Sequence, residues 1–592
     1  MRNPFATVPA EQPVPEPVLR SETDKEAGMP QADAVAGNDN LSDSEDSISK
    51  DAQLGVQKVE ATTKVWTKQH LIMAYVFIWI IYFVDAMEQG LGGFLTPYVT
   101  STFSQHSLTA ATGVISGIIG GVSKLVLAKI LDIWGRPQGF VVCISLLTLG
   151  LIMMAACQNV ETYAAAQVFY WVGYNGVSYS LSIFIADTSH LKNRALMLAF
   201  VSSPYLFTVW FTSPLAASVL ATVGWRWGFG IFAIVTPLMA TPLALLFQLN
   251  YRKAKREGVM PAHESGRTLG QSIKHYFWEF DVICLLLLCG GFSLFLLPFN
   301  IYSYQYYGWR DPLTLSMLVV GFVLLVAAVV WEQRFAPVKF MPWDLLKDRT
   351  VLGACVLAAV LFIEFYLWNG YFFSFNQAAL NIDIISAGYI ANVYSIGSCL
   401  ISFVAGILIR WSGRFKWVCL YLGVPLTILG VGLMIHFRTP GTTVGYVVLP
   451  QILIAAGGGF CVICEQMAVM AAASHQHVAV VLAVEGMFAS VGGAIGGSIA
   501  TAIWTSLFPA KLAEYLPQEA QANLTTIYGS LPAQLSYEWG SPERDAIVRA
   551  YGEAQKWMLV AATTILIVAI PAVMVWRDIK VKDFKQVKGT VI

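Results

Sequence analysis

Three carboxylate side chains lie deep inside apolar segments of the sequence. Asp85 and Glu88 occur in "YFVDAMEQ", and Glu364 occurs in "LFIEFYLW". An ionisable residue at membrane depth costs roughly 2.5 to 3.5 kcal/mol even on lenient insertion scales, so each is a functional hypothesis. A carboxyl group in a low-dielectric cavity can bind a proton on one side and release it on the other. We therefore predict that these three residues couple proton movement, with helix–helix hydrogen bonding as the competing interpretation.

Two groups of polar and aromatic residues lie within apolar segments of the sequence. One follows a helical stripe in "QVFYWVGYNGVSYS", and the other follows Glu364. Aromatic rings with polar tips suit a large neutral ligand that offers both a carbon skeleton and carbonyl oxygens. An aromatic belt at the lipid interface is the alternative. The predicted substrate-binding residues are Gln167, Tyr170, Tyr174 and Asn175 in the first group, and Tyr366, Trp368 and Asn369 in the second.

The composition requires that these residues sit in membrane helices. Of the 592 residues, 56% are hydrophobic and only 12% are charged, whereas a soluble domain has roughly 25% charged residues. Apolar runs recur at about twenty residues, the length that an α-helix needs to cross a bilayer. The sequence predicts fourteen spans, at about 70–95, 108–130, 139–158, 163–186, 196–220, 228–248, 282–302, 313–331, 350–374, 386–409, 416–436, 443–470, 478–507 and 557–576.

The loop charges predict the orientation of these spans. An even number of spans places both termini on one side, and most loop Lys and Arg residues fall on that side. By the positive-inside rule this face is cytoplasmic. The long segment 508–556 then lies outside, where Asn523 heads the glycosylation sequon "NLT". A plain polar loop residue is the alternative interpretation of Asn523.

A repeated loop motif divides the helices into two halves. "AKILDIWGR" (128–136) and "GILIRWSGR" (406–414) share a small residue, an ionisable residue four positions later, and a final Gly-Arg. Each follows the second helix of a group of six, and such parallel repeats are typical of major facilitators. We predict a latch that holds one face shut and breaks when the halves rock; a topology signal is the alternative for its basic residues. The predicted latch residues are Asp132, Gly135, Arg136, Arg410, Gly413 and Arg414.

The repeat predicts an all-α integral membrane protein with a major facilitator fold, in which two six-helix bundles are joined by two inserted helices. The inserted pair, the seventh and eighth helices, is expected to pack outside the other twelve. The predicted divisions are a disordered acidic cytosolic tail at 1–65, an N-terminal bundle at 66–249, a cytosolic loop and inserted pair at 250–349, a C-terminal bundle at 350–577 with an extracellular loop at 508–556, and a cytosolic tail at 578–592.

Several other kinds of chemistry lack a signal in the sequence. No G-x-x-x-x-G-K-[ST] loop occurs, so ATP hydrolysis is not expected. The spacing of His, Cys and carboxylate residues predicts no metal site. We expect no cofactor and no enzymatic activity. No basic patch indicates a nucleic-acid partner. Glu465 and Glu485 lie nearer the cytoplasmic helix ends, where structural or snorkelling roles are expected. Lys124 is expected to pair with a carboxylate that the sequence does not identify.

Several motifs together resemble the fungal siderophore-iron transporters of the major facilitator superfamily. They are "AKILDIWGRPQG" (128–139), "FVDAMEQ" (83–89), "IADTSHLKNRAL" (185–196), "WRWGFGIFAI" (225–234) and "YFFSFNQAALNIDIISAGYI" (371–390). The resemblance covers about 65–580 and implies import of ferric hydroxamate chelates with protons. It also implies a plasma membrane location, with endosomal vesicles as the alternative.

One departure and two rival functions remain open. Gln167 stands where many proton-coupled facilitators carry Arg, which leaves the general antiporter proton route in doubt. The nearest rival function is a drug/proton antiporter that exports amphipathic compounds on the same fold. A rival of another class is a nutrient sensor that does not transport and signals through the acidic tail.

Overall fold

The computed structural model describes residues 62, 65–102, 109–133, 135–258, 268–302, 305–338, 341, 343–473 and 477–581. Within these ranges the chain is helical and contains no strand. The predicted tails at 1–65 and 578–592 lie almost entirely outside the described residues. The all-α membrane fold expected from the sequence is confirmed.

Fourteen long helices or pairs of helical segments occupy the positions of the predicted spans, and we number them α1 to α14. Five of them are interrupted by a short break, and α11 contains a π-helical turn at Cys419–Gly423. Their bounds are α1 Lys68–Thr102, α2 Thr109–Ile133, α3 Arg136–Ala156, α4 Val160–Thr188, α5 Leu191–Ser202 with Tyr205–Thr222, α6 Trp225–Arg256, α7 Val282–Leu296 with Pro298–Ile301, α8 Pro312–Arg334, α9 Arg349–Asn369 with Phe372–Ala378, α10 Ile384–Ala391 with Val393–Ser412, α11 Lys416–Val418 with Val424–Phe437, α12 Val444–Ala472, α13 Val478–Tyr515 and α14 Pro542–Ile565 with Ala569–Met574.

Twelve of these helices are both long enough and apolar enough to cross a membrane. The other two, α2 and α4, contain 25 and 29 residues and are therefore also long enough. On average α2 is as apolar as α3, whereas α4 carries the polar stripe that contains Gln167 and Asn175.

The two groups of six helices meet along two long contacts, α2 against α13 and α5 against α10. Small residues allow the close approach. A Cβ on Gly121 of α2 would lie 2.3 Å from Ser490 Cβ of α13, and one on Gly406 of α10 would lie 3.1 Å from the Leu196 backbone of α5. Small residues at helix interfaces let backbones pack closely in membranes. These two contacts hold the halves together.

The inserted helices α7 and α8 pack chiefly against each other, and α7 also contacts α2. In their most apolar windows only 22% and 17% of the residues are buried within the protein, compared with 61% in α9 and 67% in α12 and α13. Most of their apolar surface is therefore left for lipid. An amphipathic helix, Leu269–Glu279, precedes them and begins with a capping box formed by Thr268 and Gln271.

The predicted outer loop 508–556 is shorter in the structure than expected. α13 continues to Tyr515, and α14 begins at Pro542, where the Ser541 hydroxyl accepts a hydrogen bond of 3.2 Å from the Arg544 amide. The intervening segment contains the short helices Leu524–Gly529 and Leu531–Leu535. The first turns of α14 are polar in sequence, so a search for apolar runs misses them. They are stabilised instead by buried hydrogen bonds, including one of 2.8 Å from the Tyr551 hydroxyl to Gln534 Oε1.

Candidate functional site

The first two predicted proton-coupling residues, Asp85 and Glu88, lie one turn apart on α1. Each side chain is only 3% exposed. Asp85 Oδ1 and Glu88 Oε2 have no hydrogen-bond partner, and neither residue forms an ion pair within the described part of the chain. The Tyr170 hydroxyl of α4 contacts the Glu88 carboxyl group. Burying an ionised carboxylate without a cation beside it costs several kcal/mol. Such a site therefore favours the protonated carboxyl group, as expected of a group that exchanges protons.

A chain of hydroxyl groups surrounds these two carboxyl groups. The Tyr174 hydroxyl lies 3.0 Å from that of Tyr205, which donates a hydrogen bond of 3.1 Å to Gln89 Oε1. The rings of Tyr170 and Tyr174 stack with centroids 5.9 Å apart. Sequence analysis missed Tyr205, because a single Tyr in the apolar run of α5 shows no pattern. Tyr170 and Tyr174, two of the predicted binding residues, therefore lie beside the carboxylates of α1.

The other two predicted binding residues of α4 make contacts within their own helix. Gln167 Nε2 donates to the Tyr163 hydroxyl at 2.9 Å, and Gln167 Oε1 accepts from Trp171 Nε1 at 3.0 Å. Asn175 Nδ2 donates to the Trp171 carbonyl at 2.8 Å, and Asn175 also lines a cavity between the halves. Gln167 thus orients the Trp171 indole, whereas Asn175 is available to a ligand.

The third predicted proton-coupling residue, Glu364, is 3% exposed in the middle of α9, and its Oε1 atom has no hydrogen-bond partner. Of the predicted binding residues near it, Tyr366 is 40% exposed and packs beside Gly493 of α13. Asn369 is half-buried.

Trp368 is more deeply buried than the other predicted binding residues. It is fully buried in the C-terminal bundle, where its ring centroid lies 5.8 Å from Tyr394 and 6.0 Å from Phe372. Its carbonyl accepts a hydrogen bond of 2.6 Å from the buried Arg438 guanidinium. The indole therefore packs in the bundle core rather than lining a cavity. At this position the aromatic enrichment of the segment serves packing.

The predicted N-terminal latch is a buried ion pair. Gly135, with φ of 112°, turns the chain between α2 and α3, a conformation that favours glycine. Arg136 then places Nε 3.2 Å from Asp187 Oδ2 at the end of α4, with both side chains at most 10% exposed. The pair joins two helices of the same half. The side chain of the predicted partner, Asp132, lies outside the described residues.

The equivalent C-terminal motif makes an exposed ion pair. Gly413, with φ of 74°, ends α10, and Arg414 Nη1 lies 2.7 Å from Asp578 Oδ2, with both side chains about half exposed. Arg410 is exposed and forms no ion pair within the part of the chain that the structure describes. Both pairs lie within one half, so neither is a lock between the halves in this structure.

One cluster of potential metal ligands forms despite the absence of a spacing signal. The buried residues Asp281, Cys284 and Glu332, at the predicted cytoplasmic ends of α7 and α8, bring one ligand atom each within 4.8 Å of one another. Lys129 of α2 lies in electrostatic contact with all three, and its Nζ atom donates a 2.7 Å hydrogen bond to the Glu279 carbonyl. The protein thus supplies its own cation, and Lys129 joins the inserted pair to the N-terminal bundle.

Comparisons with known proteins agree with this architecture. The Major Facilitator Superfamily pattern matches residues 78–336. Among solved structures, a bacterial homologue of the human lysosomal transporter Spinster, inward-facing and occupied, aligns with a TM-score of 0.51 and 14% identity over 86% of this chain and 97% of its own. The helices and these two matches define the fold of a major facilitator.

Full-length relatives narrow the assignment. MFS siderochrome iron transporter 1 of Ajellomyces capsulatus is 60% identical over 100% of both chains. Siderochrome iron transporter 2 of Aspergillus fumigatus is 44% identical over 92% of this chain and 90% of its own. The chain belongs to the fungal siderophore-iron transporter family of the major facilitator superfamily. The family resemblance inferred from the sequence motifs is confirmed.

Proposed function

We propose that this protein imports ferric siderophore together with protons by alternating access. The observation that carries the proposal is the pair of carboxyl sites, Asp85 with Glu88 in one half and Glu364 in the other, buried without cationic partners within the described residues. The siderochrome iron transporter relatives support siderophore-iron transport as the activity. The carboxyl groups supply the coupling: protons bind when the pathway opens outward and leave when it opens inward.

We infer the substrate class from the side chains of the predicted binding residues. Tyr170, Tyr174, Asn175, Tyr366 and Asn369 offer rings, hydroxyl groups and amides, and no charge. Such a surface suits a bulky neutral chelate of the hydroxamate type, which presents hydrocarbon and carbonyl oxygens. Its iron is already wrapped by the chelator, so the transporter needs no iron ligand.

Transport into proteoliposomes tests the direction and the coupling. We expect a radioiron-labelled ferric trihydroxamate to accumulate when the outside is acidic, and accumulation to stop when an ionophore collapses the pH gradient. Uptake that does not depend on the pH gradient would contradict the proposed proton coupling. Efflux of preloaded amphipathic drugs, with no iron uptake, would instead support the antiporter. Unchanged uptake after deletion of residues 1–60 would argue against the sensor.

We place both termini in the cytoplasm and the chain in the plasma membrane. Asn523 is exposed, in the segment between α13 and α14 that this orientation puts outside the cell. We expect the mature protein to carry an N-linked glycan there. Asn523→Gln should abolish the mobility shift caused by endoglycosidase, whereas the same change at Asn381, which heads no sequon, should not. An unshifted wild-type band would contradict the predicted glycan.

A further inference from the structure

A polar cavity of about 100 Å³ lies between the two halves, with room for several water molecules. Lys124 of α2 lines it, together with Ser178 and Ser182 of α4 on the N-terminal side. Gln466 of α12 and Glu485 of α13 line it from the C-terminal side. The cavity therefore lies across the boundary at which the halves must separate.

The cavity lies towards the predicted cytoplasmic face. Glu485 is seven residues after the start of α13 at Val478, and Glu465 is seven residues before the end of α12 at Ala472; seven residues are about two helical turns. On this side of the cavity the Tyr179 hydroxyl of α4 donates a hydrogen bond to the Ala479 carbonyl of α13. The two halves are thus in contact between the cavity and the cytoplasm.

Charges from both halves meet in this region. Lys124 Nζ donates to the Gly486 carbonyl at 3.2 Å and to Ser490 Oγ at 3.5 Å, and it is in electrostatic contact with Glu485. Glu485 is in turn in electrostatic contact with Glu465. Glu465 is 1% exposed, and its Oε2 atom has no hydrogen-bond partner. One ammonium group therefore faces two carboxyl groups, and it can balance the charge of only one of them.

The remaining titratable groups around Glu465 carry no positive charge. They are Cys461 and Cys464 on its own helix, Cys355 on α9 and Tyr394 on α10. Lys124 is thus the only cation that contacts this carboxylate pair within the described residues. An additional proton on the pair makes the whole group neutral.

The cluster of Glu465, Glu485 and Lys124 is also connected to Glu364, through Tyr394. Tyr394 packs between the two sites, with its ring centroid 5.1 Å from that of Phe365, the neighbour of Glu364. Its hydroxyl oxygen lies against Gly458 of α12, 2.6 Å from where a Cβ would be. Tyr394 is in electrostatic contact with both Glu364 and Glu465. A polar group therefore stands between the centre of the C-terminal bundle and the cavity.

We propose that Glu465 and Glu485, held beside Lys124, form a second proton site, which releases the transported proton to the cytoplasm. This proposal rests on the proton-coupled import proposed above. In the closed state the pair shares one proton, and its remaining negative charge is balanced by Lys124. When the halves separate, Lys124 and Ser490 move apart, water enters the cavity, and the proton passes to that water. The next proton arrives from Glu364 past the Tyr394 hydroxyl.

Two transport assays in proteoliposomes, substrate exchange and gradient-driven accumulation, distinguish an effect on proton release from an effect on substrate movement. Exchange of ferric trihydroxamate across the membrane requires no net proton transfer, whereas accumulation driven by a pH gradient does. For Glu465→Gln we expect exchange to stay within about twofold of wild type and accumulation to fall by about tenfold or more, because a neutral amide cannot pass on the proton. Glu485→Gln should behave in the same way.

Matched variants keep the test decisive. Glu332→Gln makes the same change at a buried carboxylate in the inserted pair and should leave both modes unchanged. If Glu485→Gln fails to fold because Lys124 loses its partner, Lys124→Gln/Glu485→Gln removes both charges and should fold, exchange substrate and fail to accumulate it. Wild-type accumulation in the glutamine variants, or equal loss of exchange and accumulation, overturns the proposal. Exchange without gradient-driven accumulation in the wild type instead overturns the proton coupling itself.

Discussion

We expect Asp85→Asn and Glu364→Gln each to abolish gradient-driven accumulation of ferric siderophore while the protein still folds and reaches the membrane. Both residues are 3% exposed and lack cationic partners within the described residues. The amides keep the shape of the side chains but cannot bind or release a proton. The expected loss is at least about a hundredfold in accumulation, as for removal of a positioned proton-transfer group. Uptake of the radioiron-labelled chelate, measured against surface protein, checks it.

The control variant replaces a carboxyl group by an amide at a site outside the predicted proton-coupling residues. Asp311→Asn at the start of α8 keeps a side chain that can cap the helix, since Asp311 accepts a 3.0 Å hydrogen bond from the Leu313 amide. It should transport normally. If both Asp85→Asn and Glu364→Gln also accumulate substrate normally, neither carboxyl group couples protons. If only one of the two variants accumulates substrate normally, the carboxyl group in the other half alone couples protons.

The helices were predictable because their signal is local. A run of about twenty apolar residues has few structural solutions other than a membrane helix, and all fourteen predicted spans coincide with helices. The Gly-Arg ends of the two repeated motifs also behaved as expected in the backbone. Gly135 and Gly413 both adopt positive φ, where the chain turns between helices.

The polar pairings were not predictable, because each depends on helices distant in sequence. Asp187, the partner of Arg136, lies 51 residues away, and Gly486, whose carbonyl accepts from Lys124, lies 362 residues away. Glu485, for which a structural or snorkelling role was predicted, faces Lys124 across the boundary between the halves. A sequence places a charge on a helix; only the packing of helices decides what that charge meets.

The surroundings of Trp368 also depend on helix packing. A helical stripe identifies residues that share a face, but it does not say whether that face meets a cavity or another helix. Trp368 and Glu364 share a face of α9 by their spacing of four. That face meets Tyr394 of α10, and the buried Arg438 caps it at the Trp368 carbonyl. Glu364 is therefore in contact with Trp368 and Tyr394 inside the C-terminal bundle.

The second large effect is expected at the buried ion pair of the first repeated motif. We expect Arg136→Gln to lower the free energy of unfolding by about 3 kcal/mol, because Asp187 would remain buried without its partner. The nearby Arg194 is in electrostatic contact with Asp187 and keeps the loss at the lower end of the usual range. Asp187→Asn should be similarly destabilising. Heating of the detergent-solubilised protein, followed by size-exclusion chromatography, measures the loss.

The second repeat supplies the internal comparison for this prediction. Arg414 and Asp578 form an ion pair of 2.7 Å, but both side chains are about half exposed, and such pairs contribute about 0 to 1 kcal/mol. Arg414→Gln should therefore change thermal stability little. Arg136→Gln/Asp187→Asn, which removes both buried charges, should recover most of the stability lost in either single variant. Two outcomes would contradict this prediction: equal effects of Arg136→Gln and Arg414→Gln, or no recovery in the double variant. Either would show that burial does not determine how much the Arg136–Asp187 pair contributes to stability. In that case the motif acts through its glycine turns rather than through the charges beside them.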